Sequence, residues 1–144
     1  KAFLVSRQDG KMKKILFVCA ENSARSQMAE AFFNSMAKKA KAESAGTKPA
    51  STVNPLAVQV MKDIGIDICR AKPKMLTFKM INSSKRIITM GCTDSKACPG
   101  TMTPTEDWGI DNPAGKSVEK FREVRDVIKE KVEFLIKELE NSKK

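Results

Sequence analysis

The strongest constraint on the fold is a short apolar run, KKILFVCA at residues 13–20, which charged residues bound on both sides. A continuous apolar stretch of this length predicts a buried strand. Residues 85–92, KRIITMGC, form a second such run, and residues 42–46, AESAG, predict a short strand and turn. Strands that are apolar throughout are typical of parallel sheets covered by helices on both faces.

Four segments between and after these runs predict helices. In residues 26–41 and 117–140 the apolar residues recur every three or four positions, as on one face of a helix. Residues 53–65 predict a helix with an asparagine cap, a proline at its first position and a glycine stop. Residues 73–81 predict another helix, whereas the Pro, Gly, Thr and Asp of residues 93–117 predict a long loop.

The alternation of strands and helices over 144 residues predicts a single α/β domain. In open parallel sheets, ligands bind beyond the carboxyl ends of the strands. Cys19 and Cys92 each lie at that end of an apolar run. We therefore expect the functional site at this edge of the sheet.

The cysteine content limits the chemistry of that site. The chain has Cys19, Cys69, Cys92 and Cys98 and no histidine, which excludes Cys–His nucleophile pairs and histidine-containing metal sites. These cysteines are unevenly spaced and no export signal is evident, so we do not expect a disulfide framework. We expect no metal site, although Cys92 and Cys98 could supply half of one, and we expect Cys69 to be a small buried hydrophobic residue.

The net charge of +10 arises from 27 Lys and Arg against 17 Asp and Glu. The lysines are scattered, aromatic residues make up 6% and tyrosine is absent. This pattern favours a solvated basic surface that attracts small anions over a nucleic-acid-binding surface. No stretch approaches the roughly 20 apolar residues of a membrane helix. We expect neither nucleic acid nor a membrane as a partner.

Residues 1–11 contain one apolar segment, Ala2–Val5, which Arg7 and Asp9 follow. This segment is too short for the apolar core of a signal peptide. Met12 directly precedes the first strand and resembles a natural start. We expect residues 1–11 to be a dispensable extension or a cloning remnant, residues 12–144 to form the domain, and the protein to be cytoplasmic.

Residues 19–26, CAENSARS, join the first strand to the first helix. A loop there points backbone N–H groups inward next to a helix N-terminus, which suits a tetrahedral oxyanion. The same field favours the thiolate form of Cys19, Ser26 can donate to it, and Asn22 tolerates the left-handed conformation that such a loop needs. The alternative is a core cysteine with a surface arginine. The expected oxyanion-binding residues are Ala20, Glu21, Asn22, Ser23, Ala24, Arg25 and Ser26, with Arg25 as a bidentate donor.

Four stretches of the sequence resemble the low-molecular-weight protein tyrosine phosphatase superfamily, and more specifically its thioredoxin-coupled arsenate reductases. They are ILFVCAENSARSQMAEAFF, SAGTKPASTVNPLAVQVMKDIGIDI, IITMGCTDSKACP and DWGIDNPAGKS, and together they run from about residue 13 to 140. The resemblance implies a three-layer α/β fold with a four-stranded parallel sheet and helices on both faces. It implies one arsenate reductase- or phosphatase-like domain over residues 12–144, with no tightly bound cofactor.

The resemblance also implies roles for three cysteines. Cys19 would attack arsenate bound by the loop and Arg25, and Cys92 would attack the Cys19–arsenic adduct, releasing arsenite and leaving a disulfide. Cys98 would then form a disulfide with Cys92, which thioredoxin or a similar dithiol protein would reduce. Phosphate and sulfate are the expected mimics of arsenate.

The residues are also compatible with two other functions. A low-molecular-weight phosphatase would hydrolyse phosphotyrosine-type or small phosphate monoesters through a Cys19 phosphoenzyme, with Cys92 and Cys98 as bystanders. An anion-sensing or redox-sensing domain would bind an oxyanion without turnover.

Some positions depart from the family's pattern or extend it. The family has a carboxylate that acts as general acid before the proline of DNPAG, whereas this chain has Asn112 there, so the neighbouring Asp111 is the candidate substitute. Glu21 adds a carboxylate to the anion loop and must point outward. The resemblance further implies a potassium ion bound by Asn22, Glu30 and Ser44.

Overall fold

Four parallel strands form the centre of the computed structural model, which describes residues 13–91 and 105–141. The strands are β1 (Lys13–Cys19), β2 (Ala40–Gly46), β3 (Arg86–Thr89) and β4 (Thr105–Asp107). Their order across the sheet is β2-β1-β3-β4. Because β1 lies inside the sheet, its last residue, Cys19, is at the middle of the carboxyl edge.

Helices cover both faces of this sheet. They are α1 (Arg25–Met36), α2 (Pro55–Lys62), α3 (Phe78–Ser83) and α4 (Val118–Asn141). The larger core cluster contains buried residues of α1, α2 and α4, and the smaller one contains Ile81 of α3. The expected three-layer α/β fold with a four-stranded parallel sheet is confirmed.

The alternation of side chains along β1 divides the core into these two clusters. Ile15, Phe17 and Cys19 belong to the larger cluster, and Leu16 and Val18 belong to the smaller one. All five side chains are buried, as the continuous apolar run predicts. Cys19 therefore ends the strand on the same face as α1, which begins only six residues later.

The largest differences from the sequence-based prediction concern two helices and one strand. The helix expected over residues 73–81 spans Phe78–Ser83, because Thr77 caps its N-terminus through Met80 N and the residues before it run alongside Gly46. The helix expected over residues 26–41 ends at Met36, after which the chain turns into β2. Residues 105–107, expected within a loop, form edge strand β4 beside β3.

No helix within residues 13–91 and 105–141 has the length and apolar content needed to cross a membrane. The extension expected at residues 1–11 lies outside the described residues, as do Cys92 and Cys98.

Candidate active site

The thiol of Cys19 is buried at the carboxyl end of β1, with a relative exposure of 7%. The backbone N–H of Asn22 donates to its sulfur over 3.2 Å, and the Ser26 hydroxyl lies 2.9 Å from it. The Ser26 oxygen also accepts from the Asn22 side-chain amide, so its own proton is free to donate to sulfur. The Cys19 sulfur thus has two hydrogen-bond donors beside it, one from the backbone and one from a side chain.

The side chain of Asn22 connects the loop to three other parts of the chain. Its Nδ2 donates to Ser26 Oγ at 2.7 Å and to Ser44 Oγ on β2 at 2.9 Å. Its Oδ1 accepts from Lys74 N at 2.9 Å and from Gln27 Nε2 at 3.1 Å. The residue is fully buried and has a φ of 51°, the left-handed conformation expected from the sequence.

The carbonyl groups of the loop point away from the Cys19 sulfur. The carbonyls of Ala20, Glu21 and Ser23 accept from backbone N–H groups of residues 48, 50 and 54 at 2.8–3.0 Å. In a trans peptide the N–H points opposite to the carbonyl. The N–H groups that follow these carbonyls therefore face the side on which Asn22 N meets the sulfur, and this cradle of N–H groups has the arrangement expected of an anion site.

Arg25 is the first residue of α1, and its guanidinium reaches across the cradle. Its Nη1 donates to Ile110 O at 2.9 Å and to Met90 O at 3.4 Å. A Cβ on Gly91 would lie 2.8 Å from this nitrogen, so only glycine fits here without a shift. Because guanidinium carries five N–H donors, others remain for an oxyanion.

A small cavity of about 60 Å³ lies over the loop. This volume accommodates a few water-sized groups. Cys19 lines it, and its other lining residues are Ala20, Glu21, Ser23, Ala24, Arg25, Asn112 and Ala114. Of the seven loop residues expected to bind an oxyanion, five thus line the cavity, and Asn22 and Ser26 lie buried behind them against the sulfur.

Asn112 and Glu21 line the cavity, whereas Asp111, the candidate proton donor, does not. Asn112 lines the cavity, and its Oδ1 accepts from Ala114 N at 3.1 Å, which fixes the amide. The Asp111 carboxylate is exposed and pairs with Lys120 Nζ at 3.0 Å, outside the cavity lining. This hydrogen bond raises the pKa of Lys120. Glu21 is exposed where it lines the cavity, as its place in an anion loop requires.

Known proteins resemble this chain over most of its length. A family model described as low molecular weight phosphotyrosine protein phosphatase matches residues 14–144. The chain belongs to this family. An arsenate reductase from Staphylococcus aureus is 39% identical over 125 residues, which are 84% of this chain and 94% of that protein.

Two solved structures extend the comparison. The arsenate reductase from Archaeoglobus fulgidus has a TM-score of 0.77 and 38% identity, covering 85% of this chain and 98% of its own. A thioredoxin-dependent arsenate reductase from Corynebacterium glutamicum has a TM-score of 0.77 and 31% identity, covering 94% of this chain and 67% of its own. The resemblance to the arsenate reductase branch of the phosphatase family is confirmed.

The expectation for Cys69 was wrong, because this thiol is exposed. Asp67 Oδ1 accepts from Cys69 N at 2.9 Å and forms a turn that keeps Cys69 at the surface after the buried Ile68. A hydrogen bond with the Asp67 side chain raises the pKa of the Cys69 thiol and so disfavours its thiolate. Cys69 therefore lacks the environment of a reactive cysteine.

Sequence reasoning also missed two residues of this family member's site. Gln27 is buried and donates to both oxygens of Asn22 at 3.1–3.2 Å. Gln27 lies opposite the apolar stripe that contains Ala29, Phe32 and Phe33, so the helical periodicity gave no signal for its burial. Gly46 was not singled out either, although a Cβ there would lie 2.6 Å from Ala20 O.

The buried Asn22 amide generates the first prediction. Asn22→Ala should lower the free energy of unfolding by about 3 kcal/mol, because it loses buried hydrogen bonds and leaves alanine in a left-handed conformation. Asn22→Gly should recover about 1 kcal/mol of this loss, since glycine tolerates a positive φ. Urea denaturation of both variants measures the two contributions. Wild-type stability of Asn22→Ala would contradict the assigned role.

Proposed function

We propose that this protein reduces arsenate to arsenite through a relay of Cys19, Cys92 and Cys98, which thioredoxin or a similar dithiol protein regenerates. The observation that carries the proposal is a buried thiol with two donors on its sulfur, under a cavity lined by loop N–H groups and Arg25. Cys92 follows Gly91 directly in the chain, and Gly91 lies against the Arg25 guanidinium. The second thiol of the relay thus adjoins the oxyanion site in sequence.

The binding step uses the N–H groups of residues 20–26 and the guanidinium of Arg25. An oxyanion bound in this cavity contacts the side that Cys19 lines. The Cys19 sulfur is then placed to attack the central atom of the oxyanion. Phosphate and sulfate have the same tetrahedral shape and should compete with arsenate. A basic chain with a net charge of +10 attracts such anions from solution.

The chemical steps balance as thiol–disulfide exchange. The Cys19 thiolate forms a bond to arsenic(V) and expels one oxygen, which leaves as water after taking up protons. The Cys92 thiolate then attacks the Cys19 sulfur, and the electron pair of the sulfur–arsenic bond passes to arsenic, which leaves as arsenite. Cys98 attacks Cys92 and frees the Cys19 thiolate, and two electrons from thioredoxin reduce the Cys92–Cys98 disulfide. These steps need no bound cofactor, and they fit the reducing cytoplasm in which we place the protein.

The exposed Cys69 provides a matched control for the relay. Cys92→Ser should reduce arsenite release to the background rate, because the Cys19–arsenic adduct then has no second thiol to attack it. Cys69→Ser should leave the rate unchanged, since its thiol is hydrogen-bonded to Asp67 and lies outside the cavity lining. A thioredoxin-coupled assay of arsenite release measures both variants. Wild-type turnover by Cys92→Ser would overturn the relay.

Hydrolysis of phosphate monoesters through a Cys19 phosphoenzyme is the second candidate function, favoured by the oxyanion cavity itself. An ester leaving group needs a proton, and the side chain fixed at the cavity, Asn112, cannot supply one. Asp111 is our proposed proton donor for either reaction. Lys120 Nζ lies 3.0 Å from the Asp111 carboxylate, so this ion pair must break before Asp111 can donate a proton at the cavity.

Substitution at these two positions distinguishes the candidate functions. Asn112→Asp should raise the hydrolysis of para-nitrophenyl phosphate by about 100-fold, because it places a titrating acid at the cavity. Asp111→Asn should slow arsenate reduction if Asp111 is the proton donor. Steady-state rates of both reactions measure these effects. A wild-type protein that already hydrolyses the ester as fast as Asn112→Asp would favour the phosphatase.

A potassium ion at Asn22, Glu30 and Ser44 does not fit the contacts of these residues. Asn22 Oδ1 already accepts two hydrogen bonds, from Gln27 and from the backbone of Lys74. The Ser44 hydroxyl donates to Glu30 Oε1 at 2.5 Å, and Lys74 Nζ lies 3.8 Å from the same carboxylate oxygen. Asn22 Oδ1, Ser44 Oγ and Glu30 Oε1 are thus engaged with protein groups, and no step is assigned to potassium.

A further inference from the structure

The segment after β4 supplies the part of the oxyanion cavity that does not come from the loop between β1 and α1. Asn112 and Ala114 line the cavity there. Two hydrogen bonds fix this segment: the Ile110 N–H donates to Met90 O at 2.5 Å, and the Ile110 carbonyl accepts from Arg25 Nη1 at 2.9 Å. Arg25 therefore also holds the chain two residues before Asn112.

The side-chain amide of Asn112 has one favoured orientation. Its Oδ1 accepts from Ala114 N at 3.1 Å, and a flipped amide would set a donor against that N–H. Nδ2, with its two protons, therefore forms the other arm of the amide. No acceptor within residues 13–91 and 105–141 contacts Nδ2, and the residue is exposed where it lines the cavity. These two N–H groups are thus available to a ligand.

The charge at this position matters because the ligand is an anion. Arsenate, phosphate and sulfate carry one to two negative charges near neutral pH. A carboxylate in the cavity would repel them and has no proton to donate, whereas an amide is neutral and donates. The neighbouring Asp111 carboxylate pairs with Lys120 Nζ at 3.0 Å, outside the cavity lining. The segment after β4 therefore lines the cavity without adding a negative charge to it.

We propose that Asn112 is an oxyanion-binding residue, whose Nδ2 donates to the bound oxyanion and whose neutral side chain makes the cavity selective for inorganic oxyanions over phosphate esters. An inorganic oxyanion gains a donor and meets no opposing charge there, whereas an ester leaving group finds no acid. The inference rests on the proposed oxyanion cavity at Cys19. One side chain thus sets the preference between the two candidate reactions.

The test separates the amide donor from the turn that Asn112 forms. Asn112→Asp keeps an oxygen that can accept from Ala114 N, but it loses Nδ2 and adds a charge. Asn112→Ala loses the oxygen and Nδ2 without adding a charge. Asn112→Ser keeps a hydroxyl that can donate, and it serves as the conservative rescue. Asn82→Asp adds the same charge at an exposed position on α3, outside the cavity lining.

Each protein has serine at the three cysteines other than Cys19, so that binding is measured without the relay. Phosphate and sulfate are the probes, and isothermal titration calorimetry at one pH and ionic strength gives their dissociation constants. The melting temperature shows whether each variant is folded.

Asn112→Asp should weaken phosphate and sulfate binding by about 30-fold and Asn112→Ala by about five-fold, because the aspartate adds repulsion to the loss of a donor. Asn112→Ser should recover part of the loss, and Asn82→Asp should bind as wild type does. Wild-type affinity in Asn112→Asp would overturn the inference, since a residue that only forms the turn predicts that result. An equal loss in Asn82→Asp, or a wild type that binds neither anion, would also overturn it.

The binding readout separates this inference from the proposed function. Weaker anion binding by Asn112→Asp would support the donor even in a protein that does not reduce arsenate. With all cysteines present, the same variant should hydrolyse para-nitrophenyl phosphate faster, while inorganic phosphate inhibits that reaction about 30-fold more weakly. Wild-type anion binding by Asn112→Asp, in a protein that still reduces arsenate, would leave the reductase intact and reject the inference.

Discussion

The site depends on one buried amide. Asn22 has a left-handed backbone conformation that turns its own N–H toward the Cys19 sulfur, and its side chain makes hydrogen bonds to α1, β2 and the segment before α3. A flipped amide would set its N–H groups against the donors Lys74 N and Gln27 Nε2, so these contacts select one orientation of the side chain. The shape of the loop is therefore fixed before any oxyanion binds, which is the condition for strong electrostatic stabilisation of an anion.

The sheet determines where this loop can act. The side chains of β1 alternate between two cores, so Cys19 is buried on the α1 face while the loop after it leaves at the carboxyl edge. The strand beside it, β3, ends one residue before Met90 and two before Gly91. Arg25 donates to the Met90 carbonyl, and this contact joins the nucleophile loop to the chain that leads into Cys92. In the proposed relay, the oxyanion site and the second thiol therefore belong to neighbouring strand ends.

Features that depend on local sequence could be predicted, and features that depend on pairing across the chain could not. The apolar run of β1 and the conformation of Asn22 follow from neighbouring residues, and both are confirmed. Strand β4 is short, polar and exposed, so only its pairing with β3 reveals it. Lys74 lies 52 residues from Asn22, and no pattern in the sequence indicates that contact. Cys69 was wrongly expected to be buried, because the turn that Asp67 forms places this cysteine at the surface.

The central claim is that Cys19, under the oxyanion cavity, starts an exchange that ends in a disulfide between the two cysteines after β3. Mass mapping of disulfides after addition of arsenate to the fully reduced protein tests it most directly. A Cys92–Cys98 bond should form with arsenate and be absent with phosphate, while Cys69 stays reduced. Arsenite formation with Cys92 and Cys98 still reduced, or the same bond without arsenate, would contradict it.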